Sequence, residues 1–366
     1  MYKDLRGFIK QVDELGVLRR ISGADPKFEL GGITEVAAGS AECPALLFDR
    51  IKGYESGTRV FTNATTTAQR AALALGIDPS LKPLDALKAW MKKRQTLKPQ
   101  SPIEVAKAAF QDNIMRGRNV DLGKLPAPYW HRKDGGPYIG SGSIVIMRDP
   151  DGGWINASIY RVQVHGKNRV TIQFDHLGRH GAIIAKKYWD KGEGCPVAVV
   201  NGQDPALFIA GFEYLPDGQS EYDFAGSIKG APMETMRGPI TGLPLPAHAE
   251  IILEGELVPP SKSTLPEGPF GEFTGYYAAD ARPAPVMQVS AVYHRDDPIL
   301  LGSPPMKPPR FHFGLPFRAA SIWSNLEMAG VTDVVGCWQH VAQLMTVVAE
   351  LAPGTAIDLG CGVEHL

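Results

Sequence analysis

Apolar positions change their period along the chain, and those changes divide it. Leu5, Phe8, Ile9, Val12 and Leu15 recur at helical spacing, with Gly16 placed to end that helix. The runs Leu46-Leu47-Phe48 and Val60-Phe61 are short and continuous, which predicts buried strands. Residues 71–75, 83–92 and 103–109 carry helical patterns, so residues 1–115 predict a small α/β unit. Between 121 and 140 the apolar repeat gives way to turn chemistry, with Pro126, Pro128 and Asp134-Gly135-Gly136-Pro137. This reads as a domain crossing that also lines something. Segments 143–147, 154–164, 170–174, 196–200, 251–253 and 286–292 then suit strands of an antiparallel barrel or sandwich. One helix, at 181–189, interrupts them. Past the proline-rich 305–309, residues 318–329 predict a helix and 331–335 a strand. That third α/β unit, 306–366, is too short to close its own core.

Composition narrows the partners. A chain of 366 residues exceeds what one core usually supports, in keeping with two or three domains. Lysine plus arginine number 38 against 39 acidic residues, and a net charge of −1 gives no global attraction to nucleic acid or a membrane surface. Any anionic ligand must be held locally. Cys43, Cys195, Cys337 and Cys361 form no CxxC pair, so neither a disulfide framework nor a zinc knuckle is indicated and the reduced cytoplasm is expected. The start Met1-Tyr2-Lys3-Asp4-Leu5-Arg6 is charged where a signal peptide would be apolar, and no apolar run approaches the roughly 18 residues of a membrane span. Glycine (40) and proline (30) make the chain loop-rich, while 44% hydrophobic content argues against disorder.

Two stretches concentrate polar chemistry. In Pro266-Glu267-Gly268-Pro269-Phe270-Gly271-Glu272-Phe273-Thr274-Gly275-Tyr276-Tyr277, two carboxylates stand five residues apart on a backbone that predicts neither helix nor regular strand. A turn with two solvated glutamates is the plainer reading. In Ile155-Asn156-Ala157-Ser158-Ile159-Tyr160-Arg161, strand alternation puts Asn156 and Ser158 on one face and Arg161 on the other, unless a bulge intervenes. Asn156, His180 and Glu221 carry donor atoms that suit Mn2+ or Mg2+, although a helix cap is the plainer reading of His180.

Glu267 through Glu272, Asn156 through Arg161, Arg179-His180 and Ser220-Glu221-Tyr222-Asp223-Phe224-Ala225-Gly226 occur in the order and approximate spacing of the UbiD-like decarboxylases. Asp134-Gly135-Gly136-Pro137-Tyr138 and the N-terminal helix resemble that family too, and the resemblance runs from residue 1 to about 340. It implies a small N-terminal α/β domain (1–115), a central split β-barrel of flavin-reductase, FMN-binding type (116–305) and a C-terminal α/β domain. It implies prenylated FMN, supplied by a partner flavin prenyltransferase, with the phosphate held through a divalent metal and K+. Asn156, His180 and Glu221 match the metal ligands; Ser158, Ile159, Tyr160 and Arg179 match cofactor contacts; Arg161, Glu267 and Glu272 match a Glu-Arg-Glu catalytic network.

The implied reaction is reversible, non-oxidative decarboxylation of a benzoate- or hydroxybenzoate-type acid, or of an α,β-unsaturated one, through a covalent cofactor adduct. Glu272 is the implied proton donor and Glu267 the partner of Arg161; a homo-oligomer is also implied. After Val334-Val335-Gly336-Cys337-Trp338-Gln339-His340 the text departs from the family, so the C-terminal domain is expected to be truncated or altered. Ile357-Asp358-Leu359-Gly360-Cys361-Gly362 looks like the first methyltransferase motif but lacks the helix that motif needs. A catalytically impaired, flavin-binding remnant and an ordinary FMN oxidoreductase are the alternatives.

Overall fold

The computed structural model describes residues 1–174, 176, 178–213, 215–307, 313–315, 317–331, 333–339 and 345–349. The string at 357–362 lies outside them. Helix Leu5–Glu14 opens on Asp4, whose side chain accepts from the Gly7 N–H, and it buries Leu5, Phe8, Ile9 and Val12 as the apolar spacing predicts. Strands Leu18–Ser22, Ala45–Asp49 and Arg59–Thr62 form a sheet. Its fourth strand, Ile299–Leu301, comes from more than two hundred residues away and pairs in parallel with Arg59–Thr62. Asn201 fastens that return. Its side-chain amide donates to the Ile139 and Leu301 carbonyls at 2.9 and 3.2 Å, and its Oδ1 accepts from the Leu301 N–H at 2.6 Å.

The central strands pair antiparallel in the order Tyr138–Gly140, Arg161–Val164, Arg169–Gln173, Arg282–His294, Ile251–Leu257, Cys195–Asn201, Ile144–Arg148 and Ile155–Ile159. Thr264–Glu267 and Asn113–Arg116 also pair with Arg282–His294. The predicted strand 154–164 is interrupted at Tyr160, and its two halves lie near opposite ends of this path. Strands separated by one residue stay close in space, so the sheet has to curl and bring Arg161–Val164 back beside Ile155–Ile159. The result is a curled antiparallel half-barrel within a mixed α/β fold.

Three expectations are corrected. Residues 103–109 form no α-helix: Ile103–Glu104 pairs in parallel with Glu234–Arg237, the Ile103 and Val105 amides donate to Met233 and Thr235, and only a short 3-10 turn begins at Ala109. Long-range backbone pairing overrides helix propensity there. Helix His180–Trp189 is joined between the strands by Pro205–Ala210 and Glu221–Lys229. The C-terminal strand is Val334–Gln339, later than predicted, and it pairs with Met345–Ala349. Helix Phe317–Met328 does not close a core alone; Ala319, Ala320 and Trp323 share one with Leu87 and Trp90 of helix Pro83–Gln95. No helix among the described residues is long and apolar enough to cross a membrane.

Candidate active site

The interruption at Tyr160 makes the site. Ser158, Ile159, Tyr160 and Arg161 line one cleft of about 980 Å³, counting its open mouth. The strand is interrupted, as the proviso on Arg161 allowed: the break resets the alternation, and Arg161 shares the cleft with Ser158.

At one end Arg161 joins the two glutamates. Its Nε and Nη2 donate to Glu267 Oε1 and Oε2 at 2.8 and 3.0 Å, and its Nη1 donates to Glu272 Oε1 at 2.6 Å. The Glu267 side chain is 1% exposed, whereas that of Glu272 is 26% exposed. Tyr138 adds a third donor to Glu267 Oε1 at 3.0 Å. Burial works against the Arg161 charge, but the hydrogen bonds and charge of Glu267 outweigh it and raise the guanidinium's pKa. Burial, followed by the Glu267 charge, also pushes the Tyr138 phenol well up, so it remains a donor. The guanidinium carbon lies 5.1 Å from the centre of the Phe270 ring, a cation–π contact that fixes its plane.

The glutamate loop is held from below by the crossing segment. Glu267 closes the short strand Thr264–Glu267, which corrects the expectation of an irregular run from 266. Asp134 Oδ1 accepts from the Gly271 N–H at 3.0 Å and Oδ2 from the His131 N–H at 2.8 Å. Burial raises the Asp134 pKa despite these donors. A Cβ on Gly135 would meet the Gly268 carbonyl oxygen at 1.8 Å, so only glycine admits this approach. Gln163, two residues along the strand from Arg161, accepts from the Gly268 N–H at 2.9 Å and stands 3.1 Å from the Tyr138 hydroxyl.

The other end gathers different chemistry. Glu221 begins helix Glu221–Lys229 and is buried. Its carboxylate accepts from Asn156 Nδ2 at 2.8 Å, the Ala157 N–H at 2.8 Å and Ser158 Oγ at 3.0 Å. Burial raises its pKa. Asn156 is wholly buried, and its Oδ1 has no hydrogen-bond partner among the described residues. An orphan carbonyl oxygen beside a buried carboxylate fits a hard divalent cation. His180 lines the same cleft but pairs through Nε2 with Asp217 Oδ1 at 2.8 Å, and Arg179, not His180, is the N-cap residue of its helix. Among the described residues no group of three His, Cys, Asp or Glu forms a metal cluster. Between the ends, Arg179 covers the Tyr160 ring at 4.9 Å and donates to the Ile159 carbonyl at 3.0 Å, and Tyr160 Oη accepts from the Gly181 N–H at 3.0 Å.

Against known families, residues 102–308 match the 3-octaprenyl-4-hydroxybenzoate carboxy-lyase Rift-related domain, and residues 9–90 match the N-terminal domain of the same carboxy-lyase. The chain belongs to the UbiD family. It is a member of a family of decarboxylases, and solved UbiD-class structures share its fold. Vanillic acid decarboxylase of Sedimentibacter hydroxybenzoicus, in closed form, is 26% identical with a TM-score of 0.82, covering 96% of this chain and 75% of that one. An evolved dimeric form of HmfF from Pelotomaculum thermopropionicum, in complex with prFMN, is 32% identical with a TM-score of 0.73, covering 82% and 67%. The 3,4-dihydroxybenzoic acid decarboxylase of Klebsiella pneumoniae is 27% identical with a TM-score of 0.80, covering 93% and 73%.

Four residues of this candidate site carried no assigned role in the sequence. Gln163 was accessible through strand alternation from Arg161. Tyr138 and Asp134 stand in the crossing segment, whose turn chemistry hid their side-chain roles. Glu213 lines the cleft and carries no local signal.

Proposed function

We propose that this UbiD-family chain catalyses reversible, non-oxidative decarboxylation of a benzoate- or hydroxybenzoate-type acid, or of an α,β-unsaturated acid, with prenylated FMN in the cleft. The observation that carries this reading is one guanidinium shared by two unequal carboxylates. Glu267 is enclosed and takes three donors, so it anchors Arg161. Glu272 accepts from an Arg161 nitrogen, is more open and lines the cleft, so it is the carboxyl placed to exchange a proton with a bound substrate. Arg161 orients the substrate carboxylate, Phe270 lines its ring, and Glu272 delivers the proton to carbon. When bound, prenylated FMN supplies the electron sink that an sp2 carbon losing CO2 lacks.

Asn156, Glu221 and His180 would hold a divalent cation, Mn2+ or Mg2+, that with K+ neutralises the cofactor phosphate; Ser158, Ile159, Tyr160 and Arg179 would contact the cofactor itself. The orphan Asn156 Oδ1 and the crowded Glu221 carboxylate support this assignment. We read the curled sheet as a split β-barrel of flavin-reductase type, spanning 116–305 between units at 1–115 and 306–366. A flavin prenyltransferase would supply the cofactor, and a homo-oligomer would be the working form. The relatives acting on vanillic and dihydroxybenzoic acids, and the HmfF complex with prFMN, favour an aromatic substrate and this cofactor.

The test is coexpression with a flavin prenyltransferase, followed by the absorbance spectrum and mass of the purified chain and by CO2 release from a panel of aromatic and cinnamic acids. Prenylated flavin near one per chain with CO2 release is expected. Ordinary FMN with nicotinamide oxidation, or a colourless protein, would overturn the reading.

A further inference from the structure

The cleft is lined by a further carboxylate that the decarboxylation scheme does not use. Glu213 follows helix Pro205–Ala210, its N–H donating to the Ala210 carbonyl at 3.0 Å. Its side chain is 9% exposed and lines the same cleft as Arg161 and His180. Oε2 accepts from Arg94 Nη2 at 3.3 Å, and Arg94 Nη1 also donates to Ser321 Oγ at 2.9 Å. Oε1 is buried and has no hydrogen-bond partner among the described residues. A buried carboxylate oxygen left without a donor is costly, and the cost is removed when a ligand brings one.

We infer that Glu213 Oε1 is the acceptor for a hydroxyl group on the ligand that fills this cleft. Arg94 already balances the carboxylate, so a neutral O–H donor fits the remaining lone pairs better than a second cation. Burial raises the Glu213 pKa, with Arg94 opposing it, and this agrees with a site where added charge is disfavoured. The inference rests on the flavin-dependent reading above, and two parts of such a complex carry hydroxyls: the polyhydroxyl chain of the flavin and the ring of a hydroxylated acid.

Riboflavin and lumiflavin separate the first source, because they share a ring system and only riboflavin has the hydroxyl chain. Their binding to the purified chain is followed by flavin fluorescence, with wild type compared to Glu213→Leu and to Arg94→Met, which breaks the same ion pair but keeps the acceptor. If the chain hydroxyls are bound, Glu213→Leu loses about tenfold in riboflavin affinity, in line with a hydrogen bond to a charged group, and nothing for lumiflavin. If the ring hydroxyl is bound, riboflavin is unaffected and the flavin-loaded variant loses a preference for 4-hydroxybenzoate over benzoate of similar size. Arg94→Met retains either preference. Equal behaviour of Glu213→Leu and wild type in both comparisons overturns the inference. So does an equal loss in Arg94→Met, or a riboflavin affinity that depends on KCl only when Glu213 is present. Failure of the wild-type chain to bind any flavin would instead overturn the proposed cofactor.

Discussion

Glu267 and Glu272 share Arg161, yet their surroundings separate their duties. Replacing Glu272 by glutamine removes the transferable proton and keeps the hydrogen-bonding shape. We expect CO2 release to fall by roughly 10²- to 10⁴-fold while flavin content is retained, as read by turnover and by absorbance of the purified variant. Flavin lost along with activity would make Glu272 a structural residue. Asp134 acts one step further away, through the Gly271 N–H. Because burial raises its pKa, the folded state binds its proton more tightly than the unfolded chain does. Its contribution to stability is therefore complete below the ordinary carboxyl range and is lost as pH rises through the folded value. Asp134→Asn removes that loss, so the stability of the variant relative to wild type should climb as pH rises above the ordinary carboxyl range, whatever constant offset the amide introduces. Urea unfolding at several pH values checks this, and a flat difference would contradict it.

At the scale of elements, the glutamate loop depends on close backbone approach more than on side chains. Gly135→Ala would drive a methyl group into the Gly268 carbonyl, so we expect a loss of about 1–3 kcal/mol in thermal unfolding and a disproportionate loss of turnover as the Arg161 contacts shift. Elements whose pattern matches their environment were legible in the sequence: the helix bearing Leu5, Phe8, Ile9 and Val12, and the strands at Leu46-Leu47-Phe48 and 196–200. Helix Pro205–Ala210 was not, because all six of its residues are buried and no polar face marks its period. The interruption at Tyr160 was hidden for a related reason, since every residue from Ile155 to Val164 is compatible with one continuous strand. The candidate site was legible as residue types in two stretches. Its pairings were not: Asn156 meets Glu221 and Arg161 meets Glu267 only because the sheet curls.

On the scale of the whole molecule, Asn201 ties the central sheet to the returning strand Ile299–Leu301. Asn201→Leu would leave the Leu301 N–H and two buried carbonyls unpaired, and we expect it to destabilise the fold by about 3 kcal/mol, measured by denaturant unfolding. A merely local effect would be much smaller. Helix Phe317–Met328 likewise borrows its core from helix Pro83–Gln95, so regions far apart in sequence share one core. The single residue Tyr160 has a further consequence. It acts as a fixed spacer between the phosphate-binding end that we propose and the proton-transfer end, and covalent geometry, rather than packing, sets its length. Such a spacer tolerates a change of side chain more readily than a change of count. Inserting one glycine after Tyr160 should disconnect flavin retention from turnover, leaving Asn156 and Glu221 in place while Arg161 points away from both glutamates.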